Sequence, residues 1–177
     1  MVNNLINLIS QKREECLDNV IEFIKGRKEK ICLVSISLTY DFIKKRMAEK
    51  GLDSSNIFFV DGISKSLFMG IEDKEDCSFM PVYTDPGDFS EMLCSKLEGH
   101  DFRLFIFDSL SDLKKFWPSS DENFQKVIGC ILENTKSKGS DSYFIAYEED
   151  LERMKESLSL FDGVYSDFEM DKKLEVQ

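Results

Sequence analysis

The sequence predicts an α/β protein of three layers, in which a mainly parallel sheet carries helices on both faces. Strand-like apolar runs alternate along the chain with segments of helical periodicity, the order from which such layers are built. The runs at residues 31–36 and 104–107 are nearly continuous in apolar residues, as strands buried on both faces are. Several predicted helices are followed directly by glycine, a common terminator of helices.

The length and charge of the chain limit what it can do. Its 177 residues, 42% of them hydrophobic, suit a single domain over residues 1–177. The formal net charge of −11 repels phosphate backbones and anionic membranes, so we expect no nucleic-acid partner and no membrane association. The basic groups at residues 25–30 and 44–46 are short and flanked by acids, which favours solvated faces over nucleic-acid contacts.

The cysteines and the single histidine give no sign of a metal site. The five cysteines have no CxxC spacing, and four of them fall in a strand pattern (Cys32) or in helix patterns (Cys16, Cys94 and Cys130). This indicates small core residues in a reducing compartment. His100 lies in a predicted turn, where a solvated side chain is expected. No apolar run has membrane length and no leader pattern opens the chain, so we predict a soluble, cytoplasmic protein.

The first predicted element is an amphipathic helix over residues 3–25. Its apolar residues recur near helical spacing around a polar stretch at residues 11–15, and Gly26 ends it. We interpret the apolar face as packing on the sheet, although a partner surface would give the same pattern.

A strand, a helix and a second strand are predicted next. Residues 31–36 form the first strand, Ser37 or Thr39 caps a helix over residues 40–50, and residues 57–60 form the second strand. Asp61 follows that strand directly, which places a carboxylate at its carboxyl end.

The middle of the chain is less regular. Residues 63–77 are predicted to be an acidic loop, and residues 79–83 a short strand that Pro81 confines to an edge of the sheet. Asp85 and Pro86 are typical of a helix start, and that helix ends near Gly99.

The strand at residues 102–107 is predicted to be central, and it ends in Asp108 and Ser109. In open α/β sheets ligands bind at the carboxyl ends of the strands, so this pair marks the candidate site. A short piece at residues 112–117 follows, and Ser119 or Ser120 caps a long helix that ends at residues 136–139.

Three elements and a polar tail complete the prediction. Residues 143–147 form a strand, and Glu148 opens a helix through Leu160. Residues 162–170 alternate apolar and polar side chains, which predicts an exposed edge strand that is antiparallel or peripheral.

From about residue 30 to residue 170 the order of elements resembles the RecA/KaiC-like ATPase core, in particular the small degenerate KaiC-like proteins of archaea. Residues 31–37 resemble the strand after the nucleotide-loop helix, and residues 51–61 resemble the next strand with its leading glycine and trailing aspartate. Residues 104–111 resemble a Walker B strand, and residues 161–164 the late strand of the core. The resemblance implies side-by-side assembly, as a homo-oligomer or with an active relative.

The sequence departs from that family at the nucleotide loop. No Gly-Lys-Ser/Thr triplet occurs, and Gly26 is the only glycine among the first 50 residues. The predicted N-terminal helix stands where the nucleotide-loop helix would be, with the strand and loop before it expected to be absent. Without backbone amides and a lysine to hold a triphosphate, we predict a pseudo-ATPase without a cofactor, in which Asp108 and Ser109 are a Walker B-like remnant.

Other functions stay open. Asp61, Asp108 and Glu148 all follow predicted strands and together could hold Mg²⁺ for a phosphotransfer or hydrolase reaction, although each could instead cap the loop after its strand. A receiver-like signalling domain is a third alternative. Ser109 is predicted to lack a base because His100 lies at the opposite end of the strand. Trp117, beside Pro118 in a predicted loop, is a candidate partner contact.

Overall fold

The structure is a computed structural model that describes residues 5–82, 84–117 and 121–168. Seven strands lie in these ranges: β1 (Ile6–Gln11), β2 (Ile31–Ser35), β3 (Ile57–Asp61), β4 (Cys77–Phe79), β5 (Leu104–Asp108), β6 (Asp141–Tyr147) and β7 (Gly163–Tyr165). The helices are α1 (Cys16–Ile24), α2 (Tyr40–Glu49), α3 (Ser64–Leu67), α4 (Pro86–Leu97), α5 (Leu110–Phe116), α6 (Asp121–Ser137) and a 3₁₀ helix, Glu148–Leu160.

The strands form one sheet in the order β4-β3-β2-β5-β6-β1-β7. Every neighbouring pair is parallel. This confirms the predicted α/β class with a parallel sheet at its centre. The order differs from the flavodoxin-like order of receiver domains, in which the first strand lies between the second and the third.

Two apolar layers cover the sheet and explain the continuous apolar run of β5. Phe105 and Phe107 pack in the layer built with α4, α5 and α6. Leu104 and Ile106 pack in the opposite layer, built with α1 and α2. Because successive side chains of a strand point to opposite faces, a strand covered on both sides needs apolar residues at every position.

The N-terminal prediction is wrong in its first half. Residues 6–11 form β1 rather than the first turns of a helix, and only Cys16–Ile24 are helical. β1 pairs with β6 on one side and β7 on the other, and all six of its residues are buried. The helical spacing of apolar residues is a local pattern and carries no information about strands more than 130 residues away. Hydrogen bonding to β6 and β7 on both sides makes this segment a strand despite that spacing.

The predicted helix caps are confirmed where the structure describes them. Thr39 caps α2 by accepting a hydrogen bond from the Phe42 amide, and Asp85 caps α4 by accepting one from the Gly87 amide. Gly26 follows α1 with a φ of 79°, a backbone conformation that glycine adopts without strain. Ser119 and Ser120, the predicted caps of α6, lie outside the described residues.

Both edges of the sheet differ in detail from the prediction. β4 is an edge strand as Pro81 indicated, but it covers Cys77–Phe79. β7 is the other edge, and it runs parallel to β1 rather than antiparallel. The predicted acidic loop contains the short helix α3. The polar tail lies beyond the described residues, and no helix within them is long and apolar enough to cross a membrane.

Candidate functional site

A cavity of about 580 Å³ opens at the carboxyl edge of the sheet. Its walls come from α1 and α2, and its floor from the residues at or just after the ends of four strands. Arg13 follows β1, Ser37 and Leu38 follow β2, Asp108 ends β5 and Tyr147 ends β6. This is the edge at which parallel α/β sheets place their ligands, because the strand ends leave a crevice between the following loops.

Asp108 forms part of this floor and is 3% exposed. The Cys16 thiol donates a hydrogen bond to its Oδ1 at 3.4 Å. Burial raises the pKa of Asp108 to about 6, and the nearby Asp112 charge acts in the same direction while Cys16 and Arg13 oppose it. The peptide bond between Asp108 and Ser109 is cis.

Asp112 is the centre of a hydrogen-bonded cluster beside Asp108. Its Oδ2 accepts hydrogen bonds from Tyr147 at 2.7 Å and from Ser109 at 3.0 Å. Its Oδ1 accepts from Lys115 at 2.9 Å and from Arg13 at 3.2 Å. Burial by itself would raise the pKa of Asp112, but the donors and the Arg13 charge lower it overall. Asp112 is therefore ionised at neutral pH.

Arg13, which follows the first strand, contacts two residues of this cluster. Besides its contact with Asp112, the guanidinium lies 4.1 Å from the centre of the Tyr147 ring. Arg13 belongs to residues 12–15, the whole connection between β1 and α1, which contains no glycine. Its positive charge is thus directed to a carboxylate of the same chain.

Ser109 is a structural residue at this site. Its Oγ caps α5 by accepting a hydrogen bond from the Asp112 amide at 3.1 Å, and its hydroxyl donates to Asp112 in return. His100 precedes β5 at the amino edge of the sheet, where it stacks on Phe58 with ring centres 3.7 Å apart. Asp108 and Ser109 at the carboxyl end therefore have no histidine beside them.

Asp61, a predicted metal ligand, caps its own loop. Oδ1 accepts hydrogen bonds from the amides of Ile63 and Ser64, and Oδ2 from the Tyr40 amide and the Ser64 hydroxyl. In the sheet, Asp61 and Asp108 are both in register with Ser35 of β2. Two strand spacings therefore separate their backbones by about 10 Å.

Glu148, the third predicted ligand, lies at a different depression, with Gln11 and Ser166. The predicted grouping of Asp61, Asp108 and Glu148 is therefore not formed, because a shared sheet edge does not bring the ends of distant strands together. Within residues 5–82, 84–117 and 121–168, no group of three or more His, Cys, Asp or Glu side chains is placed to hold a metal ion.

Trp117 belongs to the core rather than to the surface. It is 9% exposed, its ring meets Phe89 edge-on, and its Nε1 donates a hydrogen bond to the Thr84 carbonyl at 3.1 Å. The neighbouring proline predicts a loop at the surface, but the indole packs at the start of α4. The prediction of a partner contact at Trp117 is corrected accordingly.

Sequence reasoning missed four residues of the site: Arg13, Cys16, Asp112 and Tyr147. The Ser109-Leu110-Ser111-Asp112 spacing, typical of a cap and its helix, was a signal that could have identified Asp112. Cys16 and Arg13 carried no such signal, because their positions depend on the unpredicted strand β1.

Comparisons with known proteins support the fold. No protein-family model matches the chain, and no curated protein matches it. Among solved structures, it is similar to the KaiC-like protein PH0186 of the hyperthermophilic archaeon Pyrococcus horikoshii OT3, with a TM-score of 0.57 and 11% sequence identity. The alignment covers 90% of this chain and 69% of that protein. The chain thus has a RecA/KaiC-like α/β fold.

Proposed function

We propose that this protein is a non-catalytic RecA/KaiC-like pseudo-ATPase that acts through contacts with other protein chains. The observation that carries the proposal is the connection between β1 and α1. A nucleotide-binding loop joins a strand to a helix through a glycine-rich stretch that ends in Gly-Lys-Ser/Thr, and its amides surround the phosphates. Here only residues 12–15 separate β1 from α1, and their sequence is Lys-Arg-Glu-Glu. Their charges sum to zero, and they include no glycine.

The state of Asp108 gives independent support. A Walker B aspartate presents its carboxylate to the Mg²⁺ that accompanies the nucleotide. In this protein Oδ1 of Asp108 already accepts the Cys16 thiol, and the side chain is only 3% exposed. Arg13, a cation that lines the cavity, is already paired with Asp112. The residues at this edge satisfy one another, which disfavours binding of a charged metal–nucleotide complex.

An apolar segment at the surface supports a role in protein contacts. Leu67, Phe68 and Met69, at the end of α3 and just after it, are 59%, 58% and 101% exposed. Three consecutive large apolar side chains exposed to water are unusual for a surface without a partner. We name these three residues the apolar tip and propose it as a contact surface.

The alternative, a Mg²⁺-dependent phosphotransfer or hydrolase activity, has less support. It requires carboxylates gathered around one ion, whereas Asp61 is occupied by four donors and Glu148 faces another depression. A metal titration of the protein decides between this alternative and the proposed function.

Isothermal titration calorimetry with Mg-ATP tests the proposal. We expect no binding in the micromolar range and no phosphate release during prolonged incubation. Micromolar binding would overturn the proposal, and an Arg13→Ala variant would then locate the nucleotide, since Arg13 lines the cavity beside Asp108. Titration with Mg²⁺ or Mn²⁺ alone tests the alternative: binding that Asp108→Ala abolishes would favour it.

A further inference from the structure

Two of the five cysteines form a pair outside the candidate site. Cys94 on α4 and Cys130 on α6 place their sulfur atoms 3.2 Å apart. Both side chains are half-buried, whereas Cys16, Cys32 and Cys77 are buried. Proximity of two sulfur atoms and partial access to solvent therefore coincide at this pair.

The packing of the two helices holds this pair in place. α4 and α6 lie against each other on one face of the sheet. Leu93 and Leu97 of α4 and Ile131 of α6 are fully buried in one core cluster. Cys94 follows Leu93 in the chain and Cys130 precedes Ile131, so the packing of these core residues fixes the positions of the two cysteines. Bond formation at about 2.05 Å requires an approach of only about 1 Å, within the reach of small side-chain rotations.

We propose that Cys94 and Cys130 are a thiol–disulfide site that reacts with small-molecule disulfides and links α4 to α6 by a reversible disulfide bond. The inference is independent of the proposed function. It changes the interpretation of these two cysteines as plain core residues.

The reaction proceeds by two exchanges. The sulfur of one cysteine, as the thiolate, attacks a small-molecule disulfide, forms a mixed disulfide and releases one small thiol. The second cysteine sulfur then attacks the mixed disulfide, forms the Cys94–Cys130 bond and releases the other small thiol. The protein pair loses two electrons and two protons, and the small disulfide gains both. A dithiol reductant reverses the reaction by the same steps.

The surroundings of Cys94 disfavour its thiolate form at neutral pH. Burial raises the pKa of Cys94 to about 12, and the contact with Cys130 and the carboxylates of Glu98 and Glu133 act in the same direction. Because the thiolate is the reactive form, the pair needs a supplied oxidant and reacts slowly. Once one mixed disulfide has formed, the adjacent sulfur is in place to complete the link.

The test is to incubate the native full-length protein with oxidised glutathione and count free thiols after denaturation. We expect the count to fall from five to three, and a proteolytic map to join the peptide of Cys94 to that of Cys130. Dithiothreitol should restore all five. Five thiols that persist, a bond between any other pair, or a stable glutathione adduct on Cys94 or Cys130 of the wild-type protein would overturn the proposal.

Two variants sharpen this test. In Cys94→Ser the second exchange has no partner, so we expect glutathione to remain attached to Cys130. Cys77→Ala removes a buried cysteine elsewhere and should still form the link. The urea midpoint of the wild-type protein should rise on oxidation and that of Cys94→Ser should not, because the link restricts only the unfolded wild-type chain. If Cys94→Ser does not fold, the wild-type peptide map still decides the matter.

Discussion

The thiol of Cys16 lies 3.4 Å from Oδ1 of Asp108, although 92 positions separate the two residues. The contact exists because β1 and α1 bring the start of the chain to the carboxyl end of β5. It places a weak donor against a buried carboxyl group that lies near the charges of Asp112 and Arg13.

Asp108→Asn should stabilise the protein at neutral pH. The pKa of Asp108 is about 6 in the folded protein and about 3.9 in an unfolded chain, so the folded state binds its proton more tightly. This contribution is present below pH 4 and is lost as the pH rises to 6, at a cost on the order of 3 kcal/mol. We expect Asp108→Asn to gain up to that amount at pH 7.5, and the gain to shrink as the pH falls towards 4.

Urea unfolding at a series of pH values measures this effect. Asp101→Asn, at an exposed carboxylate on the same chain, is the matched control and should follow the wild-type protein at every pH. A destabilising Asp108→Asn substitution across the whole range would show that the ionised carboxylate has a favourable role in the fold.

Asp112→Asn should destabilise the protein by about 1–3 kcal/mol, since it removes the charge that pairs with Arg13 and Lys115. The pKa of Asp112 is lowered by its donors, so its contribution is present above pH 4 and is lost as the pH falls further. Tyr147→Phe removes one hydrogen bond of the cluster and should cost about 1 kcal/mol without this pH dependence. Thermal unfolding at pH 7 and pH 3 separates the effects of the two substitutions. If Asp112→Asn destabilises the protein equally at both pH values, the predicted contribution of the ionised carboxylate is wrong.

Asp61→Ala should destabilise the protein by about 2–4 kcal/mol, because it leaves the amides of Tyr40, Ile63 and Ser64 without their acceptor. Asp53→Ala is a matched control, since Asp53 bonds only the exposed Ser55, and should cost less than about 1 kcal/mol. Chemical unfolding measures both. An unchanged midpoint for Asp61→Ala would mean that the carboxylate is not a loop cap and would reopen its assignment as a metal ligand.

The fluorescence of Trp117 should show whether its side chain is buried, because it is the only tryptophan of the sequence. We expect a blue-shifted emission maximum, weak quenching by acrylamide and a red shift on unfolding. Trp117→Phe keeps part of the packing on Phe89 but loses the hydrogen bond to Thr84, and should cost about 1–3 kcal/mol. Strong quenching of the folded protein would restore the surface role first predicted for this residue.

The apolar tip should affect association and not folding. Leu67→Ser combined with Phe68→Ser removes exposed apolar area, so we expect a change below about 1 kcal/mol in the free energy of unfolding. If the tip is a contact surface between copies, light scattering should show a lower mass for the variant than for the wild-type protein at equal concentration. Phe42→Ser, at another exposed aromatic residue, is the control. A wild-type protein that associates to the same extent as the tip variant would exclude the tip as a self-association surface.

The sequence by itself determined the α/β class, the buried central strand and its acidic end. The first four residues of β5 are apolar because both faces of the strand are covered, and this pattern can be recognised from the sequence alone. The helix caps Thr39 and Asp85 could also be predicted from the sequence, because each accepts a hydrogen bond from an amide only two or three residues away. Local periodicity and local hydrogen bonding are properties of short stretches of chain.

Only the tertiary structure decided the composition of the candidate site. Residues 6–11 have apolar spacing that suits a helix, and they become a strand because β6 and β7 offer hydrogen bonds on both sides. That pairing carries Arg13 and Cys16 to Asp112 and Asp108, while β2 keeps Asp61 apart from Asp108. Contacts between residues about 90 or more positions apart depend on strand order, and strand order is a property of the assembled sheet rather than of any segment.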